Sequence, residues 1–364
     1  MTQAVVGYAG SNAPILTDIV IPAPIGHQAM VQVIASGICH SQLNQLDQLA
    51  RSTDGVPGRL LGHEALGIVT ETGPRVSAVK PGDTVIMSWL PRQEFLCSRR
   101  VEPVTLKVRG RLVTTPDIFT WATESVADEA YLYPTTSNHP ALSVLGCAIV
   151  TGAGAVMNSA RIKPGDTVAV IGTGGVGGAA IVAARALGAS EIFAIDLNEE
   201  KLALAHRLGA TRLVNTGRTD LVRTIAEWAD GKWVTGVDHV VDCVAAPSTF
   251  SDALAIVRKG RAGFGPGGTV VVVGVAHRPA ELDLRFIQLH GITIKGCFGG
   301  DTQGDRDVAT YVDWFDDVAG GLRALVTHSY ELGDAARAVT DLREGKITRR
   351  GIFAIAPNCV ANLS

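Results

Sequence analysis

The chain has 364 residues, 46% of them hydrophobic and 18% charged, and a formal net charge of −3. That size and balance suit two or three domains with a sizeable core, and they exclude disorder and a general binder of nucleic acid or of an anionic membrane. Glycine is in excess at 41 residues with no collagen-like period, which points to tight turns and close backbone approaches.

The first residues, MTQAVVGYAG, lack a basic segment followed by an apolar one, so no signal peptide is expected. No run approaches the ~20 consecutive apolar residues of a membrane span. Up to about residue 148 the chain reads as β-rich. Short apolar runs such as Ala29–Ile34, Ala65–Val69 and Thr84–Met87 alternate with turn signals at Pro22–Pro24, Gly73–Pro74 and Pro81–Asp83, as in a small barrel or sandwich. At Thr167 the pattern changes. Thr167–Ile171 is a continuous β-branched run, as expected of a strand buried on both faces. An alanine-rich helix over Ala179–Leu187 follows, then a strand over Glu191–Ile195, a helix over Glu199–Leu208 and an extended piece over Arg212–Asn215. Val237–Asp242, Thr269–Val275 and Ile292–Lys295 add strands, and the alternation implies a parallel sheet with helices on both faces, over roughly 149–296. The tail offers helices over Asp307–Val318 and Gly333–Leu342 and a last strand over Gly351–Ala356; it is expected to dock back on the first part, so that 1–148 and 297–364 form one domain.

Two constellations carry chemistry. The first is Gly172-Thr173-Gly174-Gly175-Val176-Gly177, between a buried strand and a helix, with Asp196 ending the next strand 19 residues after Gly177. This context marks a dinucleotide site. Gly172 allows the tight turn, Gly174 lets a pyrophosphate approach, Gly177 permits close helix–strand packing, and the helix start supplies N–H groups. Asp196 suits ribose hydroxyls and repels a 2′-phosphate, which favours NAD over NADP. The second is Gly37-Ile38-Cys39-His40-Ser41, Gly62-His63-Glu64 and Gly146-Cys147. Cys39, His63 and Cys147 offer two thiolates and an imidazole, which with water in a fourth, open position make a catalytic rather than a structural zinc set. The six cysteines are otherwise scattered and too few for a disulfide framework, which favours the reducing cytoplasm.

With GICHS at 37–41, GHEALGIV at 62–69, PGDTV at 81–85, GCAIVTGAGAV at 146–156, VIGTGGVGG at 170–178 and KGCFGG at 295–300, the chain resembles the zinc-dependent medium-chain dehydrogenase/reductase family, of the alcohol dehydrogenase type. The resemblance covers nearly the whole chain. It implies an α/β fold: a GroES-like β-rich catalytic domain interrupted by a Rossmann domain. It implies one catalytic zinc on Cys39, His63 and Cys147, with Glu64 beside the metal and Ser41 taking the substrate proton. It places His40 and Arg350 near the pyrophosphate, Thr151 against the nicotinamide, Asp196 and Lys201 at the adenosine ribose and Val275 at the cofactor. Trp89 would wall the substrate pocket, which Asn44 would border. A homodimer or homotetramer is implied as well.

The sequence also departs from the family. Relatives often carry four close cysteines after the PGD segment, whereas Ser88–Arg111 holds only Cys97, so no structural zinc is expected. That segment has six basic residues (Arg92, Arg99, Arg100, Lys107, Arg109 and Arg111) against Glu94 and Glu102. It suits a solvated face or subunit contact, or else a dock for an acidic substrate group. Gln42 stands where relatives have an aspartate that orients the zinc-bound histidine. Its amide oxygen can accept from that ring without a charge. Asn44 stands where relatives relay the proton through a histidine. Gln45–Gly58 is expected to be a polar loop bordering the pocket. The reading is an NAD- and zinc-dependent oxidoreductase moving a hydride between an alcohol and its aldehyde or ketone. Reduction of an activated C=C or C=N bond on the same fold is the first alternative, and a non-catalytic nucleotide-binding protein the second.

Overall fold

A computed structural model describes residues 2–52, 58–96, 98–101, 103–115, 117–229, 235–316, 321–357 and 359. The chain divides into two compact units. One comprises Met1–Cys147, Gln303–Arg306 and Leu325–Ser364, the other Ala148–Thr302 and Asp307–Ala324.

The first unit is built on two sheets. A five-stranded antiparallel sheet runs in the order Arg59–Leu60, Thr2–Gly7, Ile15–Val20, Val104–Val108, Arg111–Thr115. A seven-stranded sheet runs Leu132–Pro134, Thr84–Ser88, Glu64–Thr72, Gln28–Ile38, Arg350–Ala354, Val326–Tyr330, and Glu124–Asp128 also pairs with Gln28–Ile38. The alternating valines and alanines of Gln28–Ile38 and Glu64–Thr72 bury Val31, Val33, Ala65 and Val69 in one core. The C-terminal strand pairs antiparallel with Gly351 opposite Ile38, a register that sets Arg350 next to Cys39.

The first half of the expected polar loop at 45–58, residues 45–51, is instead helix. His40–Arg51 is α-helical, because Leu43, Leu46 and Leu49 recur on one buried face, with Leu43 and Leu46 packed among Ile38, Leu61, Trp121 and Phe353. Residues 53–57 lie outside the described part. Two residues of the basic segment, Arg92 and Arg99, are committed to internal partners. Arg99 makes two 2.7 Å bonds to the fully buried Asp128 and reaches Glu129 at 3.4 Å. Arg92 pairs with Glu94 at 2.7 Å, and the guanidiniums of Arg92 and Arg99 both lie over the Phe95 ring. Glu129 in turn accepts N–H groups of Ser77 and Ala78, each at 2.8 Å, and meets His27 Nδ1 at 2.8 Å. Burial pushes its carboxyl up, but those amides and His27 outweigh burial and hold it below its ordinary value. Such closed ion pairing leaves Arg92 and Arg99 as anchors of their own segment rather than as a dock for an acidic ligand. Cys97 and Glu102 lie outside the described residues.

The second unit is the expected parallel sheet. Its order is Arg212–Asn215, Glu191–Asp196, Thr167–Ile171, His239–Asp242, Thr269–Val272, Thr293–Gly296, all parallel and in register. That is the Rossmann order, which places a dinucleotide at the carboxyl ends of the strands. Ala169, Ile171, Val240, Val270 and Phe193 fill its core. Residues 307–316 pack with this unit rather than with the first, which differs from the expected boundary at 297. The reason is a polar hub: Asn158 Nδ2 donates to Asp307 at 2.9 Å and to the Tyr311 hydroxyl at 3.3 Å, and Asp307 and Tyr311 are buried.

Contrary to the expectation that no run approaches a membrane span, the helical run Pro140–Ala160 is long and apolar enough to cross a membrane by length and composition. Its most apolar window is 89% buried inside the fold, as in a core helix. Two of its turns, Leu145–Ile149 and Ala155–Ala160, are π-helical. Widened turns of this kind re-aim side chains and recur at functional sites. Cys147 lies in the first of them.

Candidate metal centre and dinucleotide turn

In the first unit, Cys39, His63, Glu64 and Cys147 bring four potential ligand atoms within 4.8 Å of one another. Cys39 is the residue before helix His40–Arg51, His63 precedes strand Glu64–Thr72, and Cys147 comes from the π turn. The backbone under them is pinned. Ser36 and Thr120 hydroxyls donate to the Glu64 carbonyl at 2.9 and 3.2 Å, and Trp121 Nε1 donates to the Gly37 carbonyl at 3.0 Å. A β-carbon on Gly37 would lie 2.5 Å from the Glu64 carboxyl carbon, so the fully buried Glu64 side chain would have to shift.

The donor set fits zinc. The two sulfurs are 3.9 Å apart, close to the ~3.8 Å that two Zn–S bonds of about 2.3 Å give at a tetrahedral angle and far from a bonded disulfide at about 2.05 Å. The hydrogen bond with Cys147 holds the Cys39 thiol well below the usual thiol range, and Arg350 helps, against the opposing effect of burial. The same contact with Cys39, together with burial, pushes Cys147 well above that range. Burial pulls His63 down, but its hydrogen bond with Cys39 and the Cys39 charge win, so the ring is shifted up. The cluster thus favours one negative charge at the sulfurs facing a cationic partner, an arrangement that a divalent cation completes.

Arg350 is buried in this cluster. Its guanidinium lies 3.5 Å from Glu64 Oε1, donates to the Ile38 carbonyl at 3.1 Å and reaches Cys147 Sγ at 3.9 Å. Burial disfavours its charge, but Glu64 and the two cysteines outweigh that, and it stays cationic. Arg350 is expected at the pyrophosphate; its contact with Glu64 follows from the register of its strand against Gln28–Ile38. Gln42 is 1% exposed, and its side-chain nitrogen lies on His63 Nδ1. Its oxygen accepts from the Cys39 N–H at 3.2 Å rather than from the histidine, which differs from expectation. Ser41 Oγ stands 3.5 Å from His63 Nδ1. His40 opens the same helix on its exposed side, Asn44 is half-buried one turn on, and Trp89 is half-buried directly after strand Thr84–Ser88.

In the second unit the phosphate turn has the form its glycines require. Gly172 has φ +83°, and a β-carbon on Gly177 would lie 1.9 Å from the Gly172 carbonyl oxygen. Gly174 faces open space and caps the helix Gly175–Ala186, whose first turn holds Val176. Asp196 Oδ2 accepts the Thr173 N–H at 2.8 Å and its hydroxyl at 3.1 Å, while Oδ1 accepts the Asn198 N–H at 3.0 Å. The carboxylate is therefore fixed in orientation and tied to the turn, a role beyond the ribose contact expected of it. Lys201 lies in the first turn of helix Glu199–Arg207, capped by Asn198. Thr151 is half-buried in the helical turn Val150–Gly154, and Val275 is 65% exposed three residues past strand Thr269–Val272.

Comparison with known proteins agrees with both halves. Residues 26–136 match the family model of the alcohol dehydrogenase GroES-like domain, and residues 175–317 that of zinc-binding dehydrogenases. The chain is 30% identical to a probable S-(hydroxymethyl)glutathione dehydrogenase 1 of Schizosaccharomyces pombe, covering 95% of each chain. It is 28% identical to an S-(hydroxymethyl)glutathione dehydrogenase of Paracoccus denitrificans, over 96% of this chain and 98% of that one. Among solved structures, benzyl alcohol dehydrogenase of Acinetobacter calcoaceticus superposes with a TM-score of 0.82 at 29% identity, covering 98% of this chain and 99% of the other.

Proposed function

This chain belongs to the zinc-binding dehydrogenase family, as an NAD-linked, zinc-dependent oxidoreductase of small alcohols and their carbonyl products, and from that premise we propose that Cys39, His63 and Cys147 hold the catalytic zinc and Ser41 takes the substrate proton. The observation that carries the ligand assignment is the 3.9 Å approach of the two sulfurs beside His63. When bound, zinc supplies a Lewis acid that makes an alcohol hydroxyl acidic, and NAD supplies the acceptor for the hydride leaving the alcohol carbon. Around that chemistry the side chains have separate tasks. Ser41, next to the ligand cluster, accepts the hydroxyl proton and releases it to water or to a ribose hydroxyl, because Asn44 offers no titrating group for a relay. Gln42 holds the His63 ring in place as a neutral partner. Arg350 balances Glu64 and the sulfur charge. Trp89 walls the substrate side.

On the cofactor, the amides of Gly174, Gly175, Val176 and Gly177 receive the pyrophosphate. Asp196 and Lys201 hold the adenosine ribose, and Thr151 and Val275 pack against the rest. Orienting both reactants in this way turns hydride transfer into an intramolecular event. We further propose that the working assembly contains two or four copies, and that the chain works in the cytoplasm, where Cys39 and Cys147 stay reduced.

The test is NADH formation across a panel of aliphatic, aromatic and anionic alcohols, repeated after chelation. Turnover of at least one alcohol class that disappears with the metal supports the reading; no turnover of any alcohol, or turnover of enones or imines alone, removes it. A variant addresses the cofactor. Asp196→Ala is expected to lower the preference for NAD over NADP by about tenfold or more, the scale of one lost charge-assisted hydrogen bond. Because Asp196 also ties down Thr173, NAD binding itself weakens at the same time. An unchanged NAD/NADP ratio of kcat/KM would show that Asp196 does not read the ribose.

A further inference from the structure

One side chain beside the sulfur cluster is claimed twice. Gln42 is the third residue of helix His40–Arg51 and is almost fully buried, so its partners must come from the protein. Its Oε1 accepts the Cys39 N–H at 3.2 Å, the reciprocal half of a capping box at the helix start. A backbone N–H can only donate, so this contact fixes the amide: the oxygen faces Cys39, and the NH2 group faces His63 Nδ1. In that arrangement Nδ1 accepts.

A metal-bound histidine needs the reverse. Nδ1 is turned toward Gln42 and Ser41, which leaves Nε2 as the nitrogen that can join the sulfurs. A neutral imidazole that gives its Nε2 lone pair to a metal carries its proton on Nδ1, and that N–H seeks an acceptor. Against the Gln42 NH2 group it would meet a donor. The Cys39 N–H and the His63 Nδ1–H thus claim a single amide oxygen, which can stand at one of the two places. The other acceptor near the ring is Ser41 Oγ, 3.5 Å from Nδ1.

We propose that Gln42 is a positioning residue that holds zinc affinity below what a carboxylate would give. To serve a zinc-bound His63 its amide turns over and releases the Cys39 N–H, so metal binding is coupled to loss of the cap on helix His40–Arg51. The proposal rests on the ligand set above. A carboxylate at 42 has an oxygen for each N–H group and needs no such exchange.

The experiment measures zinc affinity by competition with a chromophoric chelator, for the full chain and its variants, each checked by thermal unfolding. Gln42→Glu is expected to bind zinc about 10–100-fold more tightly than the wild type, the scale on which partners of a ligating histidine act. Gln42→Asp should move affinity the same way and serves if the glutamate variant does not fold. Ser41→Ala should leave zinc affinity within about threefold of the wild type, because the ring does not rely on that hydroxyl. Unchanged or weaker zinc binding in a folded carboxylate variant, or a loss beyond that range in Ser41→Ala, overturns the proposal. Zinc that stays bound to Cys147→Ser with wild-type affinity overturns the ligand set instead.

Discussion

Replacing Cys147 by serine will strip the protein of zinc and lower alcohol-dependent NADH formation by about 10³-fold or more, the several kcal/mol that a Lewis acid contributes to the reaction. NADH binding should survive, because Gly172, Gly174, Gly177 and Asp196 belong to a different compact unit from the sulfur cluster. Serine keeps the size of the side chain but offers a hydroxyl that does not ionise near neutral pH, so the thiolate donor is lost without a large cavity. Cys39→Ala should give the same outcome by removing the sulfur held below the usual thiol range. Metal analysis and NADH titration of the same preparation check both. Retained zinc and near wild-type turnover in either variant would remove these cysteines from the metal site.

The second large effect concerns Arg350. Its side chain and that of Glu64 are 5% and 0% exposed and 3.5 Å apart. Arg350→Ala leaves a carboxylate buried opposite an electron-rich sulfur pair, and breaking a buried ion pair in this way costs about 3–5 kcal/mol. The Arg350→Ala, Glu64→Gln double variant should recover a large part of that loss, because the orphaned charge is gone. Urea unfolding of the two single variants and the double variant measures it. A cost below about 1 kcal/mol for Arg350→Ala, or no coupling between the two positions, would show that the pair does not hold the cluster together.

Much of this was legible in the sequence, for physical reasons that differ from residue to residue. The Rossmann strands announce themselves because a strand buried on both faces must be apolar through its buried length, as Val168–Ile171 and Val270–Val272 are. Gly172 and Gly177 are legible because a left-handed φ at the first favours glycine and a close backbone approach at the second leaves no room for a β-carbon. The helix over His40–Arg51 was hidden by its glutamines and asparagine, although Leu43, Leu46 and Leu49 mark its buried face. The π turn at Cys147 leaves no trace in composition or spacing. The Arg350–Glu64 pair and the Arg99–Asp128 pair join residues 286 and 29 positions apart in sequence, and only strand register and chain packing bring such partners together.

On the proposed ligand set, one zinc ion per chain, held by Cys39, His63 and Cys147, enables NAD-linked alcohol oxidation. The most direct test of this is zinc content measured together with NADH formation while a chelator removes the metal in steps. The expected result is one zinc per chain at the start, turnover that falls in proportion to the zinc lost and returns when zinc is restored, and NADH affinity that stays constant throughout. Full turnover in zinc-free protein would contradict it.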